Sequence, residues 1–166
     1  MRLTALLLPL LLVACGGPEP TPEELAAREE ADIAAVEQAQ DIPPRPVDLQ
    51  AIGYPDIEKH DLFGASCAFA PKGGGLGALV LAMEQAAFIK VDGRIERLAP
   101  DPGSPELPLG ARGRYDGKVY SLILDIADGE GEQEGIETIN FPARLIVRNE
   151  RDQVVYEASG VAQCGA

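Results

Sequence analysis

The sequence predicts an all-β domain, an antiparallel barrel or sandwich of about eight to ten short strands, preceded by an N-terminal helical stalk. Three observations predict it. From about Gln50 onward apolar residues recur with period two, as at Tyr120, Leu122, Leu124 and Ile126, which puts them on one face of a strand. Asp-Gly pairs at 92–93 and 116–117 lie between such runs, and this dipeptide is the strongest short-range hairpin signal. Residues 16–48 read differently, with helix formers, prolines and no aromatic residue.

The first element is an address. The chain starts Met1-Arg2, continues with a largely apolar run over 3–14 and reaches Leu12-Val13-Ala14-Cys15. A charged start, about 12 apolar residues and a small residue before the cut have the build of a secretory signal, and the run is shorter than the ~20 residues a bilayer core needs. With Cys at the cut, all four positions resemble the lipobox of bacterial lipoproteins. That resemblance implies a signal peptide at residues 1–14, a thioether from Cys15 to diacylglycerol, and a fatty acyl group such as palmitate on the new amino terminus. Several chains together make attachment durable where one is marginal. Gly16, in place of the Asp that marks inner-membrane retention in the enteric version of the family, implies the outer membrane, with the domain facing the periplasm. The longest later apolar stretch, residues 76–83, stops at Glu84.

Residues 15–48 form the expected anchor and stalk. Nine acids stand against Arg28 and Arg45. Thr21-Pro22-Glu23-Glu24 combines a capping box with Pro at the first helical position, and helix formers continue to Gln40, so the spacing predicts a helix of about 18 residues and ~27 Å. Leu25, Ile33 and Val36 make only a thin apolar stripe. Pro43-Pro44-Arg45-Pro46 then forces an extended segment.

Residues 49–166 form the β-domain. Strands are expected at 66–70, at 79–83 in the centre, at 87–91 and 94–98 around Asp92-Gly93, and at 119–126 after a second turn at Asp116-Gly117. A third hairpin joins 144–148 to 154–158 through Asn149-Glu150-Arg151-Asp152, and a last strand covers 160–164. Cys67 in the first strand and Cys164 in the last are expected to form a disulfide, because export leads to an oxidising compartment and neither lies in a Cys-x-x-Cys. A loop of roughly 100 residues closed in this way stabilises by ~4.7 kcal/mol in the chain-entropy model.

Charge limits the partners. The formal −13 becomes −14 once Arg2 leaves with the signal, 27 acids then facing 13 bases. Such a chain is repelled by phosphate, so nucleic acid is set aside, and a basic protein partner is favoured. The plainer reading of the charge is solubility. No cofactor motif is present.

Catalytic groups are sparse. His60 is the single histidine, no Gly-x-Ser-x-Gly elbow occurs, and Ser66, Ser104, Ser121 and Ser159 lack supporting local patterns. The reading is therefore that the domain is not an enzyme. Asp56, Glu58 and His60 would share one face of a strand, with Asp61 near, as metal ligands; Pro55-Asp56-Ile57-Glu58 equally starts a helical turn, where acids suit the positive helix end. Asp128, Glu130, Glu132 and Glu134, together with Asp125 and Glu137, lie in a Gly-punctuated stretch that offers oxygen ligands to calcium but fits no EF-hand register; a solvated hairpin loop is the plainer reading. Lys72-Gly73-Gly74-Gly75-Leu76-Gly77 lacks the Lys-Ser/Thr of a phosphate loop and reads as a connection ahead of a strand.

Gly110-Ala111-Arg112-Gly113-Arg114-Tyr115 lies between two cysteines and before an outgoing strand. There it resembles the Ser-Gly-x-x-Tyr loop of the membrane-bound lipoprotein inhibitors of C-type lysozyme, which are small β-barrels behind a lipobox. The resemblance implies a binding loop at these six residues and a basic partner. This sequence departs from the pattern: Leu109 replaces the Ser, Tyr115 stands one residue late and no Trp follows. The expected function is thus an envelope lipoprotein whose non-catalytic β-domain binds or supports a macromolecular partner through loops at 73–77, 109–115 and 128–135. A lysozyme-inhibitor-like lipoprotein and a periplasmic enzyme are the alternatives.

Overall fold

The computed structural model describes residues 20–40, 42–73 and 77–166. Signal residues 1–14, the lipobox, Cys15, Asp41 and residues 74–76 of the Gly-rich loop lie outside them.

Residues up to Pro43 and residues from Pro44 form two separate compact units. In the first, α1 (Pro22–Gln40) starts at the expected capping box: Thr21 N–H donates to Glu24 Oε2 (2.8 Å) and Glu24 N–H to Thr21 Oγ1 (3.3 Å). Its apolar stripe meets no core, since Leu25, Ile33 and Val36 are 48–60% exposed.

The second unit is an antiparallel barrel of eight strands with two short additions. Its strands are β1 (Leu49–Gln50), β2 (Ser66–Pro71), β3 (Val80–Ala82), β4 (Ala87–Val91), β5 (Arg94–Pro100), β6 (Arg114–Asp116), β7 (Tyr120–Ile126), β8 (Glu132–Glu134), β9 (Thr138–Asn149) and β10 (Val154–Gly165). The ring runs β4-β3-β2-β10-β9-β7-β6-β5 and closes from β5 onto β4. β1 continues the path of β3 along β4, and β8 that of β7 along β9. Closure decides between the two expected architectures in favour of the barrel, which leaves no long edge unpaired.

Local chemistry accounts for the turns. Asp92 and Gly93 take φ of +48° and +73°, the pair of left-handed residues that a two-residue hairpin between right-twisted strands requires. Asp116-Gly117 behaves otherwise. Asp116 pairs with Ser121, so the turn spans residues 117–120, and Gly117 has ordinary negative φ. There the glycine is needed for space, because a Cβ would come 2.9 Å from Tyr120 O. The two expected strands at 154–158 and 160–164 are one 12-residue strand, β10. Gly160 joins them because its missing Cβ lets the Ala70 carbonyl of β2 approach.

The barrel interior is filled. Phe69, Val80, Ile89, Leu98, Tyr115, Leu122, Leu124, Leu145 and Val147 are at most 1% exposed, alternating with outward residues as a small closed barrel requires. Cys67 and Cys164 sit directly opposite one another on β2 and β10 and are bridged. First long strand and last are thus neighbours in the ring and are joined covalently. The chain enters the barrel ahead of residue 49: Val47 N–H donates to Val155 O (2.9 Å), and its side chain packs on the core.

Residues 54–60 form a helix, α2 (Tyr54–His60), and not a strand. Pro55 at its start and the Asp56 carboxylate accepting Gly53 N–H (3.1 Å) set its N-terminus. It lies outside the barrel, where Ile57 packs with Ile52, Leu62 and Leu81 in a small second cluster.

Candidate functional site

Strand directions place two long connections at one end of the barrel, residues 101–113 between β5 and β6 and residues 127–137 between β7 and β9. They do opposite things.

The first folds inward. Pro108–Gly110 forms a tight turn lying against β2 and β10, with Pro108 O 3.7 Å from the Cys67 sulfur, so the segment crosses the barrel mouth from the β5–β6 side. Short backbone bonds fix it: Leu107 N–H to Ala111 O, Gly113 N–H to Pro105 O, and Leu124 N–H to Gly113 O, all 2.8–2.9 Å. Ser104 Oγ donates to Asp101 O (2.7 Å) and accepts Arg114 N–H (3.2 Å). Tyr115 locks it from inside. Its ring is wholly buried, its hydroxyl donates to Met83 O (2.6 Å) and accepts Arg112 N–H (2.7 Å). Burial raises the phenol above its ordinary pKa of 10.0, partly opposed by the Arg112 N–H.

Of the expected binding loop, therefore, Ala111, Gly113 and Tyr115 are buried, while Gly110, Arg112 and Arg114 are half-buried. Arg112 leans toward Glu106 (3.5 Å) and Arg114 pairs with Asp116 (2.9 Å). Only the adjoining Leu109, held at φ +61° at the turn tip, stands 47% exposed.

The second connection folds outward. Over residues 49–166 the domain carries 18 acids and 11 bases; six of those acids and none of the bases fall within residues 125–137, leaving 12 against 11 elsewhere. The negative field of the domain is therefore local. At the tip of the β8–β9 hairpin Ile136 is 92% exposed, the most exposed large apolar side chain among the described residues. The hairpin base is held firmly. Gly131 (φ +68°) sits where a Cβ would come within 2.5 Å of Ile139 and 2.7 Å of the Phe141 ring, and Glu134 Oε2 accepts Asn140 Nδ2 (2.6 Å) and Gln163 Nε2 (3.1 Å). Between the two connections opens a groove of about 490 Å³, floored by Leu124, Ile126 and Phe141 and rimmed by Glu106, Asp128 and Arg144, a size within the range of ligand clefts.

Asp128, Glu130, Glu132 and Glu134, the calcium candidates, are all exposed and run from the loop into β8, and among the described residues no three His, Cys, Asp or Glu side chains converge as a metal-holding group. Helix formation keeps Asp56 and His60, four apart, on one face and turns Glu58 away from it. Asp56 instead pairs with Lys90 (2.8 Å), and this bond, with the Gly53 N–H, holds its carboxyl below the ordinary carboxylate pKa. His60 is exposed in the last turn of α2. In the Gly-rich loop, Gly73 and Gly77 take positive φ, and a Cβ on Gly77 would meet Ala51 at 2.9 Å.

Ile136, Asn140 and Gln163 were not signalled by any motif. The available signal was an isolated Ile between Gly135 and Glu137 in an otherwise polar run; Asn140 and Gln163 meet Glu134 only through strand pairing. No family model matches the chain, and no curated protein and no solved structure matches it.

Proposed function

We propose that this chain is an outer-membrane lipoprotein, anchored through lipid on Cys15, whose β-domain is a non-catalytic module that holds a basic protein partner on the periplasmic side. One observation carries the reading: the domain's excess negative charge is concentrated on a braced hairpin with an exposed apolar tip. Charge around an apolar contact steers an oppositely charged partner and then anchors it. The filled barrel core and the exposed His60 are compatible with that reading. A lysozyme-inhibitor-like role through residues 110–115 gains nothing from the geometry, because those side chains serve the lid.

Crosslinking in intact envelopes followed by pulldown tests the proposal. The expected product is a complex with a basic protein that weakens steeply as salt rises, because screening acts over ~10 Å at 0.1 M. Mass spectrometry of the mature chain should find an acylated amino-terminal Cys15, and Cys15→Ala should leave an unprocessed precursor. A hydrolytic activity abolished by His60→Ala, or a soluble mature protein with another amino terminus, contradicts the proposal.

A further inference from the structure

Beside the hairpin, on the outer face of the barrel where β2, β10 and β9 run together, lies a slot of about 320 Å³. Its walls are small and apolar, from Ala68, Ala70, Ala78 and Val161, and it is lined at one side by Glu134, Asn140 and Gln163. These three polar groups are arranged one-sidedly. Asn140 Nδ2 and Gln163 Nε2 both donate to the same oxygen, Glu134 Oε2. What the cluster leaves over is oxygen: Glu134 Oε1, the Gln163 amide oxygen, and Asn140 Oδ1, which is shut off from solvent and has no hydrogen-bond partner among the described residues. A desolvated acceptor without a donor is an unfavourable state, and it leaves the Glu134, Asn140 and Gln163 group short of donors.

We propose that this slot receives a lysine side chain of the basic partner; the inference rests on the binding reading given above. An ammonium carries three donors and no acceptor, which matches the remaining carboxylate oxygen of Glu134 and the amide oxygen of Gln163, both on exposed residues. The four-carbon stem of lysine lies along apolar surface while its charge is held at the end, which matches the alanine and valine walls. Calcium fits less well, since it takes six to eight oxygens and the slot has a single carboxylate. The slot lining itself contains no base, and Arg144, elsewhere on β9, is engaged by Glu157.

The test is a titration of the ¹⁵N-labelled full chain with Nα-acetyl-lysine methylamide, following the side-chain amide resonances of Asn140 and Gln163. Both should move saturably, and Glu134→Gln, an isosteric change at an exposed side chain, should weaken the response at least tenfold. The same amide with an acetylated ε-nitrogen, and calcium chloride, should leave both resonances in place. No movement, an equal response to the acetylated amide, or a response to calcium overturns the proposal. Partner capture separates it from the parent reading. Capture of a basic envelope protein at equal strength by wild type and Glu134→Gln removes the slot and leaves that reading standing, whereas saturable lysine binding without any such capture removes that reading and leaves the slot.

Discussion

The two connections at the covered end of the barrel are of similar length and opposite use. Residues 101–113 contain three prolines and three glycines, and the two acids Asp101 and Glu106 are near-balanced by Arg112; nearly every polar group there is spent on the fold, down to a tyrosine hydroxyl bonded on both sides. Residues 127–137 carry acids alone, bury little and aim an isoleucine at solvent. A loop becomes a lid when its side chains find partners on the barrel it crosses, and it remains a surface for others when its charges have no counterpart in its own chain.

That contrast can be broken at several points, in descending order of effect. Replacing Cys67 and Cys164 with Ala should cost about 2–5 kcal/mol of stability, because the bridge ties β2 to β10 beneath the lid, and chemical denaturation measures it. Gly131→Ala should cost about 1–3 kcal/mol as an overpacked site, and hydrogen exchange should rise in β8 while the 101–113 backbone stays protected. A lid that loosens equally would mean that the two connections are one unit.

Tyr115→Phe should destabilise by about 1–3 kcal/mol, since Met83 O and Arg112 N–H lose their buried partner. It also has a pH signature. The folded-state pKa of this phenol is raised above its unfolded value, so its contribution is full below about pH 10 and is lost as pH rises through the folded value. Wild type should therefore lose stability on the alkaline side, and Tyr115→Phe should flatten that limb. Asp56 works in the other direction. Its carboxyl is lowered by Lys90, so its contribution is present above about pH 4 and lost as pH falls through the lowered folded value; Asp56→Asn should remove a small acid-side slope in melting temperature. Smallest of all, Ile136→Ser should change stability by less than about 0.5 kcal/mol, which would separate its role in binding from any role in the fold.

Much of the secondary structure was legible in sequence because its signals are local. The capping box at Thr21–Glu24, the Asp92-Gly93 turn and the alternation through Leu122 and Leu124 each specify a conformation without long-range help. The Cys67–Cys164 bridge followed from counting. What was not legible depends on closure. Tyr115 looks like a loop residue until β5 and β6 wrap it inside, and then its ring becomes the largest fully buried side chain. Gly117 and Gly160 look like turn and break residues, yet they are there for the close approach of a neighbouring backbone. The hairpin acids were seen as a group, but their isolation as almost the whole charge excess of the domain matters only once their neighbours are shown to be exposed.

The most direct measurement sets one connection against the other in the same assay. Crosslinking to a basic envelope protein should be compared for a hairpin variant, with Asp128 changed to Asn and Glu130, Glu132 and Glu137 to Gln, and a lid variant, Leu109→Ala with Arg112→Ala, both checked to be folded. The hairpin variant should lose capture and its salt dependence while the lid variant captures like wild type. Capture lost in the lid variant and kept in the hairpin variant would contradict it and return the binding surface to residues 109–115.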